Sequence, residues 1–173
     1  PTDNIPEMTR FARRVLRKRF LAADMGITGV NFAVASTGTI VLFENEGNIR
    51  LTTSLPRTHI AVMGMEKVIP TPDDLDVFLR LLGRSATGQK LPGYVSLLNG
   101  PRGTGERDGP EVFHLVILDN GRTRILEDPE LREILYCIKC SACLSFCPVY
   151  LQIGGHAYGW AYSGPIGSVL TPQ

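Results

Sequence analysis

The chain has 173 residues, 43% hydrophobic and 20% charged, with 18 Gly, 12 Pro and a formal net charge of +1. That length suits one domain, or one domain plus a short module, and it can bury a substantial core. Ordinary apolar content near neutrality excludes collagen, mucin-like stalks and global disorder, and gives no general attraction to nucleic acid or anionic membranes. No apolar run approaches the ~18–20 residues of a bilayer-spanning helix, and the N-terminus lacks a secretory hydrophobic region. The first residue is Pro1, and all four cysteines fall within eleven residues near the other end. Both features read as a piece of a longer polypeptide.

Ile5, Met8, Phe11, Ala12, Val15, Leu16 and Phe20 recur at mostly three- and four-residue spacings, which predicts a helix over 5–20 with Pro6 in its first turn. Arg10, Arg13, Arg14, Arg17, Lys18 and Arg19 occupy much of the rest of its surface. With no aromatics interleaved, they read as a solvated face rather than a nucleic-acid or lipid surface. Val30–Ala35 and Thr39–Phe43 are β-rich runs parted by the turn Ser36-Thr37-Gly38. After the turn cluster 44–48, Arg50–Leu55 reads as a further strand ended by Pro56. His59–Met63 reads as a short strand buried on both faces. The expected arrangement is a sheet meander entering a parallel strand.

Thr71-Pro72-Asp73-Asp74 opens a helix, with the Thr hydroxyl as cap and the acids at the positive end of the dipole. Leu75, Phe78, Leu79 and Leu82 form its buried stripe, and Gly83 offers a stop. Strands over Tyr94–Leu98 and Val112–Leu118 flank the loop Asn99–Pro110; Asp119-Asn120-Gly121 reads as a turn and Thr123–Leu126 as a returning strand. The alternation argues for α/β layering. A last helix is expected from Asp128-Pro129, delivering the chain to the cysteines.

Cys137-x2-Cys140-x2-Cys143-x3-Cys147-Pro148 is the strongest signal in the chain. It is the bacterial ferredoxin run for [4Fe–4S] clusters, whose fourth cysteine ligates the other cluster in two-cluster ferredoxins. Cys137, Cys140 and Cys143 then hold one cubane lacking its fourth protein ligand, and Cys147 serves a second cubane whose triplet this chain lacks. Both clusters are therefore incomplete in this chain. Three alternatives stay open: structural zinc, which normally uses cysteine pairs separated by a longer loop; a disulfide; and a single cluster on all four cysteines.

With this run followed by Val149-Tyr150 and by Ile153-Gly154-Gly155-His156-Ala157-Tyr158-Gly159-Trp160, the chain resembles the iron–sulfur B subunits of bacterial lactate-utilization systems. These carry a LUD domain followed by a two-cluster ferredoxin-type region. The likeness continues through 164–172, and upstream through 26–33, 45–48, 50–53, 108–111 and 114–121. The resemblance implies a Rossmann-like LUD domain of the type shared with sugar-phosphate isomerases and CoA transferases. On that reading, 1–128 is the C-terminal part of the LUD domain, and 129–173 is the first half of a truncated ferredoxin-type segment. It also implies two [4Fe–4S] clusters in the full-length protein, electron transfer in the oxidation of L-lactate to pyruvate, partner lactate-utilization subunits, and a cytoplasmic location. The fragment alone is expected to be inactive and to self-associate through faces left open. One departure is Ala35-Ser36-Thr37-Gly38 where Ala-Glu-Thr-Gly is expected, which leaves no carboxylate at Ser36.

Two rival functions remain: a ferredoxin-like carrier for another 2-hydroxy acid oxidoreductase, and a non-enzymatic ligand-binding module with a structural or sensory cluster. The loop 99–107 offers Arg102 and Arg107 as an anion site, against an ordinary flexible loop, since no Walker or dinucleotide pattern is present. His59 and His114 read as satisfied core histidines. His156, beside the cluster motif, reads equally as a hydrogen-bonding or proton-moving neighbour of a cluster and as part of a packed glycine turn. No Ser-His-Asp or Cys-His nucleophile arrangement is visible, so the sequence assigns no catalytic residue.

Overall fold

The structure, a computed structural model, describes residues 2–172. Pro1 and Gln173, the outer limits of the two expected segments, lie outside the described residues. The first helix, α1 (Ile5–Leu21), forms as expected, with Asn4 Oδ1 accepting from the Glu7 N–H at 3.1 Å and Pro6 in its first turn. Its apolar stripe has no cover: Ile5, Met8, Phe11, Val15 and Leu16 are all exposed.

Among the described residues seven strands follow, divided between two sheets rather than joined in one meander. The parallel sheet has the order β1 (Met25–Gly29), β4 (Thr58–Gly64), β7 (Val112–Leu118). The mixed sheet has the order β5 (Val68–Ile69), β2 (Phe32–Val34), β3 (Thr39–Glu44), β6 (Tyr94–Leu98). One core lies between the sheets, where Ala33, Ile40 and Leu42 meet Ala61 and Met63. A second lies on the other face of the mixed sheet, where Phe32, Val34 and Val41 meet Leu75 and Leu82 of α3 (Pro72–Thr87). Because successive side chains alternate faces, β3 is the strand buried on both sides. β4, expected in that role, alternates buried and half-buried residues. The outer face of the parallel sheet leaves Met25, Ile27, Val116 and Leu118 exposed.

Several local expectations are corrected. Arg50–Leu55 is not a strand: 48–54 form the helix α2 (Asn48–Ser54). The buried Glu44 carboxylate supplies the cap, accepting from the N–H groups of Ile49 at 2.6 Å and Arg50 at 2.7 Å. The Thr52 and Ser54 hydroxyls turn back onto carbonyls four residues earlier, so this β-rich composition serves a helix. Gly83 does not stop α3, which runs on to Thr87 and ends at the left-handed Gly88. Gly83 is instead a buried close-packing position, where a Cβ would lie 3.2 Å from the Gln89 carbonyl. The expected capping at Thr71 is present, as a reciprocal box with Asp74.

Thr123–Leu126 is likewise helical, within α4 (Arg122–Glu127). Asp119 accepts from both the N–H and the hydroxyl of Thr123, at 2.7 and 2.6 Å, after Asn120 and Gly121 turn the chain through positive φ. These bonds hold the Asp119 carboxyl below its usual range. The helix expected from Asp128-Pro129 is a short 3-10 turn, Arg132–Tyr136, because Asp128 Oδ1 takes the N–H groups of Glu130 and Leu131. Beyond it come short turns and two short helices, α5 (Pro148–Ile153) and α6 (Gly164–Leu170). Among the described residues no helix is long and apolar enough to cross a membrane.

The seating of α2 on β1 depends on one missing side chain. A Cβ on Gly26 would lie 2.2 Å from the Thr52 carbonyl oxygen, and backbone cannot yield as a flexible side chain can. Gly26→Ala is therefore expected to lower stability by about 1–3 kcal/mol, read as a lower urea midpoint. An unchanged midpoint contradicts this seating.

Candidate functional site

The cysteine segment is docked on the α/β core. Ile138 and Cys140 pack against the second core cluster. Lys139 and Ser141, on either side of Cys140, both adopt left-handed backbone at φ 58° and 65°, so the chain coils tightly around that residue. Cys137, Cys140 and Cys147 are half-buried, Cys143 is exposed, and all four are free thiols.

A buried ionic cluster fixes this turn to the end of β4. Glu66 pairs with Arg122 at 2.5 Å and with Lys139 at 3.1 Å, the Glu66 and Arg122 side chains being only 5% and 6% exposed. Arg122 also donates to the Tyr162 hydroxyl at 3.0 Å, and the Lys139 ammonium sits 3.7 Å from the Tyr162 ring centroid. Burial raises the Glu66 pKa, but its own backbone N–H and the bonds from Arg122 and Lys139 outweigh that and leave the carboxyl below its usual range. Lys67 lies nearby; desolvation and the Lys139 charge lower its pKa, while Glu66 and Cys137 oppose them. Two cations, Arg122 and Lys139, thus pair with one buried carboxylate beside the Cys137–Cys140 turn, with Lys67 nearby.

At Cys147 the N–H of Tyr150 leads, with that of Val149 and the Tyr158 hydroxyl, in holding the thiol below its usual range against desolvation. The neighbour of this sulfur is Tyr158 rather than His156. His156 is exposed in the 3-10 turn His156–Tyr158, on the rim of a hollow of about 650 Å³ with Tyr150, Gly155 and Trp160. Among the described residues no three His, Cys, Asp or Glu side chains converge on a metal-sized site. In chemistry the donors suit a thiolate-ligated group: four free thiols at ferredoxin spacing, with Cys147 held toward the thiolate.

The other candidates separate. Arg102 donates to Glu111 at 2.6 Å, and Glu111 also holds Arg57. Arg107 lines a shallow depression together with Arg102, Glu106 and Glu111. The two arginines therefore share one loop depression that also holds two carboxylates, and Arg102 alone also lines the larger cleft against α2 and β6. His114 is exposed, not a core residue. His59 is wholly buried, its Nε2 paired with Thr28 Oγ1 at 2.8 Å, but its Nδ1 has no partner among the described residues. Ser36 lies in an exposed turn, its N–H donating to the Pro70 carbonyl. Sequence reasoning missed Glu66, Arg122, Lys139, Tyr162 and Tyr158, because their roles arise from contacts between residues up to 73 positions apart.

A three-stranded parallel sheet stacked on a mixed sheet, with a cysteine segment pinned to one end, is thus an α/β domain with a docked tail. Residues 2–118 match the LUD domain family, and the chain belongs to that family. The chain is similar to Lactate utilization protein B of Shouchella clausii, 60% identical over 171 residues, covering 99% of this chain and 36% of that protein. It is also similar to Lactate utilization protein B of Bacillus pumilus, 58% identical over 166 residues, 96% of this chain and 35% of that protein. It spans about a third of the length of these curated relatives. A solved structure, a DUF162 family protein from Deinococcus radiodurans, superposes with a TM-score of 0.43 at 21% identity, over 58% of this chain and 56% of that one.

Proposed function

We propose that this chain belongs to an electron-transfer subunit of a lactate-oxidising system, in which its four cysteines ligate [4Fe–4S] clusters. The observation that carries the reading is the run Cys137-x2-Cys140-x2-Cys143-x3-Cys147-Pro148, with Cys140 packed on the core and Cys147 held toward the thiolate. The relatives named Lactate utilization protein B support the metabolic role. Cys137, Cys140 and Cys143 would hold one cluster and Cys147 one corner of a second; the clusters supply one-electron transfer. The chain supplies position through the Glu66–Arg122–Lys139 cluster. Its partners are other lactate-utilization subunits, its location is cytoplasmic, and residues 129–173 form a ferredoxin-type unit beside the LUD domain.

The test is anaerobic reconstitution with iron and sulfide counts and EPR. The full-length protein is expected to hold two cubanes, and this chain alone no complete one. About four irons on this chain with a cubane signal would favour a single cluster on all four cysteines; a full-length protein without iron would overturn the electron-transfer reading. The bare apolar faces of α1 and of the parallel sheet also support self-association of this chain. Light scattering at micromolar concentration is expected to find dimers or larger species, and a monodisperse monomer contradicts this.

A further inference from the structure

We propose that Lys67, a residue of the LUD domain, tunes the cluster on Cys137, Cys140 and Cys143, its ammonium being the charge that raises the reduction potential of that cluster. The inference rests on the electron-transfer reading. It goes beyond it by giving the LUD domain, which matches over residues 2–118, a part in setting the energy of the transferred electron.

Lys67 ends the 3-10 turn Met65–Lys67, between β4 and β5. Two contacts bring this turn to the cysteine segment. Glu66, the preceding residue, holds the ammonium of Lys139 at 3.1 Å, and Lys139 adjoins Cys140 in the chain. The Lys67 ammonium itself lies 5.9 Å from the Phe32 ring centroid, and Phe32 belongs to the core cluster on which Ile138 and Cys140 pack. A group ligated by Cys137 and Cys140 therefore forms within range of the Lys67 charge, at a half-buried site where salt screens little.

Lys67 is the cation of this region with no anion of its own. Arg122 and Lys139 both pair with Glu66, and Lys139 also sits against the Tyr162 ring. Lys67 makes no ion pair among the described residues, and burying a charge without a partner is costly. Desolvation leads, with the Lys139 charge, in lowering its pKa; Glu66 and then Cys137 act in the opposite sense. Glu66 already serves two cations, so Cys137 is the anionic neighbour left for Lys67. A cluster ligated at Cys137 adds negative charge there and favours the protonated amine. Reduction by one electron makes the cluster more negative by one charge, while the ammonium charge stays fixed. The attraction is stronger in the reduced state, and the potential rises. Cys147 has other neighbours, the N–H groups of Tyr150 and Val149 and the Tyr158 hydroxyl, so the second cluster serves as an internal control.

The test is an anaerobic titration of the full-length protein with dithionite, which supplies the electrons, following both clusters by EPR. Lys67→Gln is expected to lower the reduced-to-oxidised ratio of one cluster about tenfold at fixed potential, a midpoint shift of about −59 mV for one electron, and to leave the other cluster unmoved. Lys67→Met, which keeps an apolar stem against Phe32, is expected to match Lys67→Gln. Lys67→Arg keeps the charge and is expected to stay near the wild-type midpoint. Iron content and thermal unfolding are expected to be unchanged in all three variants. Unmoved midpoints in Lys67→Gln and Lys67→Met, equal shifts in both clusters, or the same shift in Lys67→Arg would each overturn the proposal. Iron lost from Lys67→Gln and Lys67→Met but kept by Lys67→Arg would also overturn it, because Lys67 would then retain the cluster rather than tune it. If the wild-type protein loads its clusters and no variant moves a midpoint, this inference falls and the electron-transfer reading stands. A full-length protein without iron removes that reading, and this inference with it.

Discussion

Arg122→Ala is expected to lower the stability of the chain by about 3–5 kcal/mol, because it leaves the Glu66 carboxylate buried with Lys139 as its remaining cation. The same change removes the bond to the Tyr162 hydroxyl, so the tail beyond Lys139 should loosen as well. Two measurements separate these effects: the urea midpoint reports the core, and the rate of thiol labelling at Cys140 reports the docking of the turn. The double variant Glu66→Ala/Arg122→Ala should lose less than the sum of the single losses, since removing both partners leaves no orphaned charge between them. Additive losses would show that the pair is not coupled.

The same cluster sets a pH dependence. Glu66 is depressed in the folded chain relative to its ordinary value of 4.5. A carboxylate of that kind contributes stability that is fully present above the ordinary value and is lost as pH falls through the folded value. Melting of the wild-type chain should therefore decline more steeply than that of Glu66→Gln as pH drops below about 4.5. Parallel declines would mean that the ion cluster does not hold the fold.

What the sequence made legible depended on how local its cause was. α1, α3, β6 and β7 were readable because their signals lie within a few residues: spacing in α1, the Thr71–Asp74 box in α3, and β-rich runs between turn residues in the strands. α2 and α4 were misread as strands because their composition, rich in Thr, Ile and Leu, leans that way. Their helices depend on carboxylates lying just before them, Glu44 and Asp119, accepting backbone N–H groups. Division into two sheets was invisible, since it depends on pairings such as Ile40 with Leu98 and Thr58 with Val112. At the candidate site, the cysteine spacing announced the chemistry of the donors. The residues that seat them did not announce themselves: Glu66, Arg122, Lys139 and Tyr162 look like ordinary surface residues until the fold brings them together. His59 was legible as a buried histidine, but its unspent Nδ1 was not, because only the three-dimensional surroundings show which hydrogen bonds are made.

Cys140→Ser in the full-length protein is expected to abolish lactate-linked electron transfer and to lower the iron content, while the α/β core stays folded. The expectation of a core unaffected by the cysteines holds only in part, since Cys140 and Ile138 pack against the second core cluster. Serine is close in size, so it opens little cavity, but it sets a hydroxyl against apolar neighbours, at a cost of about 1–3 kcal/mol if the hydroxyl finds no partner. That is enough to move a melting curve by several degrees and too little to remove both core clusters. Small zinc modules behave differently, because there the metal-binding energy is the folding energy. Here most of the buried apolar side chains belong to strands upstream of the cysteines. The measurements are iron content, far-UV circular dichroism with thermal melting, and lactate-dependent dye reduction with the partner subunits present. Wild-type turnover at normal iron content would refute Cys140 as a ligand, and a melted core would show that the cysteine turn is a structural member of the LUD domain.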